Sequence, residues 1–124
     1  MLFAICCSSK ENIRMETDCI FCKIVKGEIP STFLYENDNL VVFRDINPHA
    51  PVHLLIVPKR HIRSVNDLTE DDAKIVSEMI MTAKMMAEKE SVSKSGYKLL
   101  FNVEKGGGQV IFHLHLHLIG GWKK

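Results

Sequence analysis

Residues 113–119 read HLHLHLI, three histidines two apart, each followed by an apolar residue. In an extended strand alternate side chains share a face and successive residues rise about 3.3 Å, so the imidazoles of His113, His115 and His117 project together while Leu114, Leu116 and Leu118 face a core. Neighbouring histidines then stand about 7 Å apart at the backbone and the outer two about 13 Å. Two neighbours can ligate one ion, but the outer pair is too far apart to share one easily, which divides the row between sites. A metal strip, an active site and a solvated face are the readings to separate.

A second chemical signal lies near the start, where Cys19-Ile20-Phe21-Cys22 places two thiols on one helical turn. Cys-x2-Cys is half of a tetrahedral zinc site, and the other half must come from afar. The donors available are His61 and one end of the histidine strand. The remaining cysteines, Cys6 and Cys7, read as incidental. With no cysteine after Cys22 the chain is no disulfide-stapled secreted fold. Glu104-Lys105-Gly106-Gly107-Gly108-Gln109 is either a flexible strand connection or a loop whose backbone approaches a ligand closely. It lacks the Lys-Ser/Thr of a P-loop.

These groups need a scaffold, and the hydrophobic pattern supplies one. Residues 19–26 carry a short helical stripe stopped by Gly27 and Pro30. Residues 32–36 and 40–44 are rich in β-branched and aromatic residues around an Asn-Asp-Asn turn, which predicts a hairpin, and 53–57 is a third strand ending at Pro58. From 69 to 90, Ile75, Val76, Met79, Ile80, Ala83, Met86 and Ala87 recur at helical spacing, with Thr69 as cap and Glu70, Asp71 and Asp72 at the positive end of the dipole. Residues 97–103 and 110–119 give two more strands. The sum is an α+β domain of five strands, one long helix and a short N-terminal one.

The 124 residues suit one domain, and 16 Lys+Arg against 15 Asp+Glu, scattered along the chain, argue against a nucleic-acid-wrapping protein. The apolar opening MLFAICC falls short of the roughly 20 residues of a membrane span and lacks a basic n-region. The expectation is a soluble, cytoplasmic protein with no nucleic-acid or membrane partner. Its organised domain would run over 18–124, after an extension, residues 1–17, that is poorly ordered. Met15 within that extension marks an alternative start.

The ordered blocks Cys19-Ile20-Phe21-Cys22-Lys23-Ile24, Gly27-Glu28-Ile29-Pro30, Asp45-Ile46, His53 with Ile56-Val57-Pro58-Lys59, His61-Ile62, Asn102, Gly108-Gln109 and His113 to Ile119 resemble the histidine triad family, in the branch that contains the adenosine phosphoramidases. The resemblance runs from about residue 18 to 122. It implies a five-stranded antiparallel sheet dimerising through the sheet, and cleavage of purine nucleoside phosphoramidates or related adenylates. By the same resemblance His115 is the nucleophile that forms a nucleotidyl-histidine, supported by His117 and His53. Asn102, Gly108 and Gln109 would meet the phosphate, Asp45 the ribose, and Ile24, Phe43 and Ile46 the base, although Phe43 also reads as plain core. Cys19, Cys22, His61 and His113 would hold a structural zinc ion, leaving no organic cofactor to be expected.

This chain departs from that pattern at Val110, where many relatives carry a serine able to donate to the leaving group, and in a tail of only five residues after the signature. His49, in a proline-bounded loop, reads as an exposed histidine without a role. Two other activities compete. One is hydrolysis of dinucleoside polyphosphates, carried out by another branch of the family. The other is a zinc-stabilised nucleotide-binding or protein-interaction module without turnover.

Overall fold

The computed structural model describes residues 19–122. The expectations placed on residues 1–18, among them the extension, Cys6, Cys7 and Met15, lie outside the described residues. Helix α1 (Ile20–Val25) leads into strands β1 (Tyr35–Glu36), β2 (Leu40–Arg44) and β3 (Val52–Pro58). After two short 3-10 turns come helix α2 (Ala73–Lys89) and strands β4 (Tyr97–Leu100) and β5 (Leu116–Gly120). The strands form one antiparallel sheet in the order β1-β2-β3-β5-β4.

Both faces of the central strands are covered, and alternation along each strand decides what goes where. Leu40 and Val42 of β2, Leu54 and Ile56 of β3, and Leu116 and Leu118 of β5 join Met79, Ala83, Met86 and Ala87 of α2 in the main core. The residues between them, Val41, Phe43, Leu55 and Val57, face the other way and pack with Cys19, Phe21 and Cys22. Register carries that second face onto β5, because Leu55 pairs with His117 and His53 with Ile119. The leucines of the histidine strip therefore fill the core under α2, and the histidines are displayed on the face that α1 partly covers.

The sequence pattern placed the elements correctly but overextended three of the strands, the first of which, read over 32–36, spans only Tyr35–Glu36. The last strand begins only at Leu116, and residues 111–113 are bent, so His117 alone of the three histidines lies in the ladder. β4 stops at Leu100. The long helix starts as a 3-10 turn over Glu70–Asp72, where the Asp72 carboxylate accepts from the Thr69 backbone N–H (2.9 Å) and from Arg60. Ile80, counted on its apolar face, is 44 % exposed. No helix among the described residues is long and apolar enough to cross a membrane.

Candidate active site and metal centre

The first turn of α1 is built on sulfur. Cys19 precedes the helix and its Sγ accepts from the Cys22 backbone N–H (3.3 Å), capping a six-residue helix that has no acidic residue in its first turn. Both thiols thereby face the segment that follows β3 and the bend that precedes β5. Cys19 Sγ lies 3.2 Å from His113 Nδ1, Cys22 Sγ lies 3.2 Å from His61 Nδ1, and the two Nδ1 atoms are 3.2 Å apart. A tetrahedral sphere with bonds of about 2.0–2.3 Å sets its donors about 3.3–3.8 Å apart, so these four atoms are positioned to hold one metal ion.

Protonation agrees with that arrangement. His113 Nε2 donates to the Pro58 carbonyl (2.8 Å), which leaves its Nδ1 lone pair toward the sulfurs. The Cys19 thiol is held far below its ordinary value, to about 2, by hydrogen bonding with Cys22 and then with His113 and His61, against the opposing effect of burial. His61 Nε2 is buried without a partner among the described residues, as a spectator N–H would be if Nδ1 carried the ion.

Beside this closed cluster lies an open cavity of about 550 Å³. One wall is apolar, with Ile20, Phe21, Ile24, Phe43 and Ile46; the other carries Asp45, His53, Asn102, Gly108, His115 and His117. Phe21 stands between the two sites, its ring edge-on to His115 (5.1 Å between centroids), to Phe43 (5.4 Å) and to His113 (5.9 Å).

Hydrogen-bond partners assign a tautomer to each of His53, His115 and His117: the proton is on Nδ1 in His115 and on Nε2 in the other two. His115 Nδ1 lies 2.6 Å from the His113 carbonyl and donates to it, so Nε2 keeps its lone pair. His53 Nδ1 accepts from the backbone N–H of His49 (3.0 Å), so its proton sits on Nε2, which faces His117 Nδ1 at 2.9 Å and an Asp45 carboxylate oxygen at 3.4 Å. His117 must then accept at Nδ1 and carry its proton on Nε2, 3.4 Å from Asn102 Nδ2, and the carboxamide accepts from it only when turned so that its oxygen takes that place. Asp45, His53 and His117 also bring donor atoms within 4.8 Å of one another. A neutral His53 has no lone pair to spare on Nε2, which makes them a hydrogen-bonded chain and a poor cation site.

Burial holds His53 and His115 below the ordinary imidazole value, opposed at His53 by Asp45 and at His115 by the bond to the His113 carbonyl. Burial also lowers His117 to about 4, with the charges of His115 and His53 adding to it. The three rings are accordingly neutral at pH 7. The cavity thus offers one bare imidazole nitrogen next to one imidazole N–H.

Of the residues singled out from sequence, Ile24, Phe43, Asp45, Ile46, His53, Asn102, Gly108, His115 and His117 line the cavity, and Cys19, Cys22, His61 and His113 form the adjoining cluster. Gln109 does neither. Its side chain is buried and spent on the main chain, accepting from Glu104 N (2.8 Å) and donating to the carbonyls of Arg63 (2.8 Å) and Ile111 (3.1 Å). Val110 is on the rim, 84 % exposed. His49 is exposed, as the sequence suggests, yet it lines the cavity and its peptide N–H orients His53. The two prolines around it were the available signal of a shaped loop, in which the Asp45 carboxylate accepts from Asn47 N (2.8 Å).

An α+β domain with a histidine-lined cleft against a Cys2His2 cluster is the class that fold and site define. Comparison with known proteins places it further. A family profile described as "Scavenger mRNA decapping enzyme C-term binding" matches residues 18–123. The chain is 42 % identical over 107 residues to a purine nucleoside phosphoramidase of Escherichia coli K12, spanning 86 % of this chain and 90 % of that one. It is similar to the crystal structure of a HIT family hydrolase from Legionella pneumophila, with TM-score 0.83 and 50 % identity, covering 85 % of this chain and 94 % of the other. A histidine triad protein from Clostridium difficile gives TM-score 0.82 and 42 % identity, over 86 % and 93 %. The chain belongs to the histidine triad family and is an enzyme of its hydrolase type.

Proposed function

We propose that this chain hydrolyses purine nucleoside phosphoramidates or closely related adenylates through a covalent intermediate on His115. The observation that carries the reading is the 2.6 Å bond from His115 Nδ1 to the His113 carbonyl, which leaves an unprotonated Nε2 on the wall of a nucleotide-sized cavity. Nε2 attacks the α-phosphorus, the P–N bond breaks as the leaving amine takes up a proton from water in the open cavity, and water then cleaves the new N–P bond to release the monophosphate and return that proton to solvent. His117 Nε2–H, held in that tautomer by His53, donates a hydrogen bond where charge develops on the phosphate or leaving group. In that role it stands in for the hydroxyl that Val110 lacks. Asn102 and Gly108 face the phosphate, Asp45 takes the ribose hydroxyls, and Ile24, Phe43 and Ile46 hold the base. The similarity to a protein named a purine nucleoside phosphoramidase supports the substrate class.

In the same reading the Cys19–Cys22–His61–His113 cluster holds zinc, as two thiolates and two imidazoles suit it. The ion supplies no chemistry to the substrate; it would tie α1 to the chain on either side of the cavity. Two thiols that serve as ligands and are not joined in a disulfide fit a reducing compartment such as the cytoplasm. A homodimer is part of the proposal: β4 is one of the sheet's two edge strands, with Leu99 36 % exposed. Sedimentation finding a monomer at micromolar concentration would remove it.

The test is His115→Ala, which should abolish phosphoramidate turnover while AMP still binds; surviving turnover would falsify the assignment. Assaying adenosine phosphoramidate and diadenosine polyphosphates in parallel separates this reading from its polyphosphate alternative. Binding of nucleotide with turnover of neither substrate would leave the interaction module.

A further inference from the structure

The loop between β4 and the histidine strip contains a backbone conformation that its sequence does not favour. Glu104 has φ 62° and ψ 174°, a region that glycine enters freely and residues with a Cβ enter only under constraint. Three groups supply the constraint. The Arg63 guanidinium pairs with the Glu104 carboxylate and lies 4.7 Å over the ring of Phe112; the fully buried Ser64 hydroxyl donates to the same carboxylate oxygen (2.6 Å). Gln109 then accepts from the Glu104 backbone N–H and donates to the Arg63 carbonyl.

The strained residue sits two positions after Asn102. Its carbonyl accepts from Gly107 N (3.0 Å) and Gln109 N (3.1 Å), which closes the loop on itself. At the far end Gly108, at φ +89°, lies beside Asn102, and a Cβ there would be in ordinary contact with its Oδ1 at 3.7 Å.

We propose that Arg63, Ser64, Glu104 and Gln109 form a clasp that positions the glycine loop, holding a non-glycine residue in a glycine conformation so that Asn102 and Gly108 stand correctly at the cavity. These are positioning residues, and none of the four lines the cavity. The consequence for Asn102 and Gly108 rests on the phosphate-binding role given to them above; the clasp itself does not.

The proposal makes an unusual ranking. Glu104→Ala keeps the Cβ and loses the clasp, so the backbone leaves its strained conformation. Glu104→Gly loses the clasp too, yet reaches the same φ without strain. Amide exchange of Gly106, Gly107 and Gly108, followed by mass spectrometry or NMR, should accelerate about tenfold in the alanine variant and much less in the glycine variant. Phosphoramidate kcat/KM should fall about tenfold in the first and recover most of that loss in the second. Arg63→Met, which keeps an aliphatic contact with Phe112, should resemble Glu104→Ala, whereas Arg63→Met combined with Glu104→Gly should be no worse than Glu104→Gly alone.

Loop exchange in Glu104→Ala as slow as in the wild type, or a glycine variant no better than alanine, overturns the clasp. Wild-type protein that turns over no phosphoramidate overturns the proposed substrate instead, and the exchange ranking still decides the clasp.

Discussion

Two sites drawn from one histidine strip end up with opposite characters. The Cys19–Cys22–His61–His113 cluster is buried throughout, and its four donor atoms face one another. Two and four residues further on, His115 and His117 are on the wall of an open cavity, with His115 Nδ1 on the His113 carbonyl and His117 Nδ1 facing the His53–Asp45 chain. The imidazole is the same in both. What differs is the group at its second nitrogen: a carbonyl at Nε2 turns the bare Nδ1 of His113 toward the thiols, a carbonyl at Nδ1 frees His115 Nε2, and another imidazole at Nδ1 makes His117 a donor. The sites are also linked, because the carbonyl that orients His115 belongs to His113 of the buried cluster.

The sharpest way to separate them is to remove one histidine from the cavity side. His115→Ala should lower turnover by at least about 10³-fold while elemental analysis still finds about one zinc per chain. Loss of zinc along with activity would show that the two sites do not act separately.

The next largest effect should come from the other side. Cys22→Ala breaks the cluster and should abolish zinc binding and lower stability by on the order of 3 kcal/mol or more, measured by denaturant unfolding. Because Phe21 joins α1 to His115, activity should fall too, but far less than in His115→Ala when assayed below the melting point. Several weakly held ions in the wild type, with no single one lost in Cys22→Ala, would argue for a storage strip.

A smaller effect is expected from the tautomer chain. His53→Ala removes the ring that fixes His117 and should reduce kcat by about 10²-fold with zinc retained and KM little changed. His53→Gln, whose amide can donate to His117 Nδ1, should recover part of the loss. Equal defects in the two variants would mean that His53 acts by filling space.

The smallest effect concerns pH and stability. His117 is held at about 4 in the folded chain against an ordinary value of 6.5, so below pH 6.5 the unfolded chain takes up a proton that the folded chain refuses. The stability this neutral ring contributes is complete above about pH 6.5 and is lost as pH falls toward 4. Melting temperatures recorded at constant zinc loading from pH 7.5 to 5 should decline in the wild type and decline less in His117→Asn. Identical acid limbs would remove His117 from the account.

Much of this was legible in the chain because it depends on local order. Leu114, Leu116 and Leu118 alternate with the histidines, and a sheet with one face under a helix has to place the two sets on opposite sides. Cys19 and Cys22 are one helical turn apart, so their convergence needs no distant partner. Gln109 shows where such reading stops. As a residue type beside a glycine run it resembles a phosphate ligand, but whether a carboxamide faces a cavity or a backbone depends on Arg63 and Ile111, which only folding brings near. Glu104 gave no signal at all, since a positive φ at a glutamate is imposed from outside by Arg63 and Ser64.

By itself the sequence determined the element order, the division of the histidine strip between two sites and the identity of the thiol pair, all of which follow from period and spacing. The tertiary structure decided which nitrogen of each histidine is free, where the last strand begins, and which polar side chains reach the cavity. Those outcomes depend on single hydrogen-bond partners, the His49 amide, the His113 carbonyl and the Arg63 carbonyl, supplied by main chain. A backbone amide or carbonyl is present at almost every residue, so its position carries no sequence signal until the chain has folded.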